Sequence, residues 1–211
     1  MTNNLKFALW GVFAFFALGV GLYPGLYFLI DMKKGFLGSK PAALLQENSW
    51  VIAFYLHISF GGLSLISGFS QFSSQLRKRK VKLHRLLGKI YLTSVLISGT
   101  SGLFIAIHAT GGRMAEMGFG SLGILWLLTS VMAFKSIRNG EVTQHRHWMI
   151  RSFALTFAAV TLRLWLPFFQ IVLHFSFIDA YIIIAWLCWI PNLVIAEIII
   201  RTSNKKSMQS A

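Results

Sequence analysis

Histidine and arginine occur side by side at two places in this chain, His84-Arg85-Leu86-Leu87-Gly88 and His145-Arg146-His147-Trp148-Met149-Ile150-Arg151, each just ahead of a long apolar run. Imidazole can ligate a metal or exchange a proton near neutral pH, and guanidinium can hold a carboxylate or phosphate through paired donors. Both groups are costly near hydrocarbon and are kept there with a partner or a task. His57, His108, Arg163 and His174 are the other members of this set.

The elements that carry them are membrane spans. The apolar class makes up 55% of the 211 residues and charged residues 12%, far below the quarter or so of a soluble domain. Runs long enough to cross hydrocarbon as a helix, about 20 residues, predict six spans at 7–30, 49–73, 86–110, 117–135, 148–174 and 179–200. The fold class is therefore all-α, a polytopic transmembrane bundle forming one domain over residues 1–201, with a polar tail at 202–211 expected to be disordered. The first run, with 24 uncharged residues and no small-residue cleavage site, reads as a helix rather than a signal peptide.

The net charge of +14 follows from topology. With a cytoplasmic amino terminus, 15 of the 20 Lys and Arg fall on the inner side, and Lys33, Lys34, Lys40 and Arg113 on the outer one. The positive-inside rule thus places both termini in the cytoplasm of a multi-pass protein of the cell (inner) membrane. No nucleic-acid partner is needed to explain the charge. The basic stretch at 77–89 is expected to touch anionic lipid. Cys188 is the single cysteine, which excludes an intramolecular disulfide.

Polar residues recurring every three or four positions mark helix faces turned into the bundle. His57, Gly61, Ser64, Gly68 and Gln71 form such a stripe in the second span. Ser152, Thr156, Ala159, Arg163, Pro167, Gln170 and His174 form one in the fifth, and Tyr91, Ser94, Ser98, Ser101 and His108 a broader one in the third. At 1.5 Å per residue His57 stands about 12 Å from the outer boundary, and Arg163 about 15 Å. The histidines sort into an outer group (His57, His108, His174) and an inner group (His84, His145, His147). Arg163 has no mid-membrane acid to neutralise it, so an anionic ligand, a carbonyl or a water-filled cavity is expected beside it. Pro167 removes the helical bond to its carbonyl.

These positions suit transmembrane b-type haem, which needs imidazoles facing a common gap and polar groups for its propionates. His57 with His108 would hold an outer haem. His84 with His145 or His147 would hold an inner one, with Arg85 and Arg146 beside the propionates and a quinone near Arg163. The competing assignment makes Tyr91 and Trp148 belt residues and has the arginines, Arg151 included, meet lipid phosphates. In that case the protein is a non-redox small carrier or an assembly factor, with an anionic or protonatable ligand at Arg163 and His57. His145 and His147 diverge by about 200° on a helix and ligate one metal only if that segment is not helical. The six acidic residues are scattered, which argues against hydrolysis; any enzymatic role would be that of a membrane oxidoreductase component, with a redox partner or a second copy as its associate. Gly118-Phe119-Gly120-Ser121-Leu122-Gly123 matches a dinucleotide fingerprint only formally, since no strand precedes it.

The segments His84-Arg85-x-x-Gly88-x-x-Tyr91 and His145-Arg146-x-Trp148-Met149-x-Arg151-x-x-Ala154-x-Thr156, with His57 upstream and Arg163 downstream, resemble a family of predicted bacterial multi-pass membrane proteins of unknown function. That resemblance implies a compact helical bundle with a set of interior polar positions. In layout the chain is more distantly similar to two-haem b-type cytochromes with paired transmembrane histidines, from which it departs in having no histidine in its fourth span.

Overall fold

The computed structural model describes residues 3–29 and 35–209, and among them every regular element is helical. Six helical segments are long and apolar enough to cross a membrane: Trp10–Phe28, Asn48–Ser70, Val81–Ala106, Arg113–Arg138, Val142–Val172 and Phe177–Lys205. The principal helices are α1 (Asn3–Leu22), α2 (Asn48–Ser70), α3 (Val81–Ala106), α4 (Arg113–Arg138), α5 (Val142–Thr156), α6 (Ala158–Pro167), α7 (Phe177–Leu187) and α8 (Ile190–Gln209). They gather into two compact units, Met1–Ser101 and Gly102–Ala211, with the boundary inside α3.

The helices outrun the apolar segments that announce them. α3 starts at Val81 rather than 86, and α5 at Val142 rather than 148. Hydropathy marks only the part in hydrocarbon, whereas Lys, Arg and Leu sustain helix through the interface. His84, His145 and His147 therefore sit within helices, not at their mouths. At the other end α3 stops at Ala106, which leaves His108 in the connection beyond it. α8 continues to Gln209, through the stretch from Thr202 that the sequence reads as a disordered tail.

In the first unit α1 packs on α2 through glycine. A Cβ on Gly62 would collide with the carbonyl oxygen of Gly21, and one on Gly21 would meet Ile66 Cγ1 at 2.7 Å, so only glycines allow this crossing. α1 ends in a 3-10 segment, Tyr23–Phe28, set by buried Pro24 in its first turn. The 35–47 segment carries a 3-10 turn (Gly35–Ser39) and a short helix (Ala42–Leu45), and buries Leu37 and Lys40. Burial holds the Lys40 ammonium down at about 8 from an ordinary value of 10.5. Asp31, Lys33 and Lys34 lie outside the described residues.

In the second unit α4 and α5 form an antiparallel hairpin closed by Asn139-Gly140-Glu141, where Gly140 adopts φ +79°. The fifth span then breaks twice. Phe157 separates α5 from α6, and after Pro167 the chain widens into a π segment, Phe168–Val172. The sixth span breaks at Cys188-Trp189, just before Pro191, whose ring opposes the carbonyl of Leu187 and cannot bond to it.

Candidate imidazole sites in the two units

In the first unit the polar stripes of α2 and α3 meet. The pairings His57 with Ser98 and Gln71 with Gly88 run in opposite senses along the two helices, which makes them antiparallel. A Cβ on Gly61 would stand 3.2 Å from Ser98 Oγ, so the backbone approaches closely at this level. His57 Nδ1 is 2.9 Å from the Ser98 carbonyl oxygen and 3.2 Å from Ser98 Oγ, while that hydroxyl donates to the His57 carbonyl at 2.8 Å. A carbonyl can only accept, so Nδ1 carries the proton and Nε2 the lone pair in the neutral ring. Tyr91, Ser94 and Ser98 continue a buried polar line along α3. His84 is half-buried on α3, fourteen residues before Ser98 and about 21 Å away along the axis. Arg85 is exposed.

The second unit repeats the anchoring. His145, half-buried in the first turns of α5, holds the Ala133 carbonyl of α4 through Nδ1 at 2.8 Å. Its Nε2 is thereby the lone-pair nitrogen as well. His147, two residues on, is buried at 8% exposure, whereas Arg146 between them is exposed. The helical geometry of this segment removes the arrangement in which His145 and His147 bind one metal together.

Beyond His145 the α4–α5 hairpin is held by side chains that bond across it. Trp126 Nε1 donates to Thr156 Oγ1 at 2.8 Å, and Ser130 Oγ meets Ser152 Oγ at 2.7 Å. At the level of the two breaks, Asn192 Nδ2 lies 3.2 Å from the Ala154 carbonyl, 3.1 Å from Thr161 Oγ1 and 3.0 Å from the Cys188 carbonyl. One amide thus serves carbonyls that the interrupted helices leave open. Asn192 was missed in the sequence, although an amide one residue after an intramembrane proline is a signal for a break that needs closing.

Arg163 is half-buried on α6, with Nη1 donating to the Ala159 carbonyl at 2.8 Å. The carbonyl expected beside this guanidinium thus comes from its own helix. Gln170 lies in the π segment, half-buried. His174 is exposed after it, with φ +55°. His108 is exposed in the α3–α4 connection, its ring 6.2 Å from that of Phe104. His57 belongs to the first unit, while His108 and Arg163 belong to the second.

Arg151, which the sequence allowed as a lipid-phosphate contact, has a partner within the protein. Glu197 on α8 receives Arg151 Nε on Oε1 at 2.5 Å and Nη2 on Oε2 at 3.0 Å, a bidentate pair. The Arg151 guanidinium carbon also lies 4.6 Å from the centroid of the Trp148 ring. Glu197 inside an apolar run was the available signal, since an intramembrane acid calls for a base.

Residues 54–200 match the family described as Predicted membrane protein (DUF2306). The chain belongs to that family. Every imidazole and guanidinium weighed above falls inside the region matched by DUF2306. The chain is also 29% identical, over 138 residues, to Ava biosynthesis cluster protein G of Aspergillus versicolor; the match covers 60% of this chain and 39% of that protein. The chain thus spans about two-fifths of the length of that relative. No solved structure matches. The protein is an integral, multi-pass membrane protein of this family.

Proposed function

We propose that this membrane protein binds haem b separately in each unit, through Nε2 of His57 in the first and through Nε2 of His145 in the second, and passes electrons within the membrane. The supporting observation is that both rings are anchored in the same way, with Nδ1 on a backbone carbonyl of the neighbouring helix. That bond fixes the tautomer and raises the basicity of the opposite nitrogen, as second-shell partners of ligating histidines do. Among the described residues no three His, Cys, Asp or Glu side chains gather as a metal site. Haem places no such demand, because its macrocycle fills four positions and the protein need supply only one or two imidazoles. Bound haem would contribute a one-electron iron couple; the chain contributes ligation, orientation and an apolar surround.

The test is a reduced-minus-oxidised spectrum of the full-length protein, purified from cells supplied with haem precursor. Soret and α bands are expected, with a fraction lost in His57→Ala and a fraction lost in His145→Ala. A spectrum without bands, or one that neither variant changes, overturns the reading. The first of those outcomes would turn attention to Arg163. Its half-buried guanidinium beside the Pro167 break and the π segment favours a second reading, an oxygen ligand such as a quinone or a carboxylate.

A further inference from the structure

The Arg151–Glu197 pair belongs to a larger charge cluster that the haem reading does not use. α5 and α8 run antiparallel, since Ala154 pairs with Asn192 and Arg151 with Glu197. One turn nearer the Val142 end of α5, and one turn nearer the Gln209 end of α8, stand His147 and Arg201. Both are close enough to act electrostatically on the Glu197 carboxylate. One guanidinium pairs with the carboxylate and a second stands one turn along α8, leaving a surplus of one positive charge even with neutral His147. Arg151 spends Nε and Nη2 on Glu197 and one face on Trp148, and its Nη1 makes no hydrogen bond among the described residues. Arg201 is exposed and forms no ion pair among the described residues.

A cluster with one surplus positive charge and open donors at the end of a transmembrane helix pair is matched by a phosphate group, which offers several acceptor oxygens and at least one negative charge. We infer that Arg151 and Arg201 form a phosphate-binding site at this end of the second unit, for the headgroup of an anionic phospholipid or for free phosphate. Glu197 competes with the phosphate for Arg151 and sets its affinity. Trp148 holds the guanidinium plane in place from the other side.

The experiment titrates detergent-purified full-length protein with short-chain phosphatidylglycerol, short-chain phosphatidylcholine and inorganic phosphate, following thermal unfolding and binding by native mass spectrometry. Stabilisation by phosphatidylglycerol but not phosphatidylcholine identifies an anionic headgroup as the ligand; stabilisation by inorganic phosphate at matched concentration identifies the free ion. Arg201→Ala should weaken binding about fivefold, the effect of one basic charge near an anionic surface. Glu197→Gln should strengthen it by releasing donors of Arg151. Arg138→Ala, at the end of α4 adjoining the same hairpin turn, should leave it unchanged. Equal losses in Arg138→Ala and Arg201→Ala, weaker binding in Glu197→Gln, or binding by neither phosphatidylglycerol nor phosphate would each overturn the site.

Discussion

The two units solve the same problem, holding polar helices together in an apolar solvent, by different means. In the first, most hydroxyls turn back onto their own helix: Ser64 bonds the Gly61 carbonyl, Ser67 that of Leu63 and Ser101 that of Ile97. Glycines bring backbones together, and the α2–α3 bonds described above join one residue pair, His57 with Ser98. In the second, side chain bonds to side chain across helices at four levels, Arg151–Glu197, Ser130–Ser152, Trp126–Thr156 and Thr161–Asn192. Close approach is thus a steric device that tolerates no added atom. A cross-helix ladder is an electrostatic device that tolerates shape change but not loss of a partner.

The sharpest way to break this distinction is Gly62→Ala. The new Cβ meets backbone of α1, which cannot swing aside like a side chain, so a penalty of about 1–3 kcal/mol or more is expected, typical of overpacking. Loss of folded protein in detergent, read by size-exclusion chromatography and thermal unfolding, checks it. Gly61→Ala is the matched control, because its Cβ would meet only the Ser98 hydroxyl at 3.2 Å. If the two variants behave alike, close backbone approach does not organise the first unit.

A smaller effect should come from the ladder of the second unit. Thr156→Val leaves the buried Trp126 indole N–H without its acceptor, and Trp126→Phe removes the donor. A double-mutant cycle on thermal or denaturant unfolding should return a coupling of about 0.6 kcal/mol, and not above roughly 1.7, the range found for hydrogen bonds between transmembrane helices. Zero coupling would mean that the hairpin is held by packing alone and that the contrast between the units is one of appearance.

How much of this was legible in the sequence depends on the range of the interaction. The six spans follow from apolar runs, and the polar stripes containing His57, Ser98, Ser152 and Thr156 follow from helical period. Partner choice does not. Arg151 and Glu197 are 46 residues apart, and nothing local tells a helix whose carboxylate it will meet. The helices α3 and α5 run beyond their apolar runs because helix propensity persists where hydropathy falls. Lys40 falls in the connection between the first two spans, which the sequence reads as an outer loop, and the burial of its side chain is a tertiary effect that composition cannot signal.

The smallest expected effect tests whether the His57–Ser98 contact resembles the ladder or the glycine contacts. Ser98→Ala deletes the hydroxyl that donates to the His57 carbonyl but keeps the Ser98 carbonyl that holds Nδ1. The His57 carbonyl can still accept from its own helix four residues on, so no buried acceptor is left bare. Stability should therefore change by less than about 0.6 kcal/mol, the mean for an interhelical bond in a membrane. The imidazole should keep its orientation, which the Nδ1 and Nε2 chemical shifts of labelled histidine would report. Ring nitrogens that become equivalent in Ser98→Ala would show the hydroxyl, not the backbone, to be the anchor. His57 would then belong with the side-chain partnerships of the second unit.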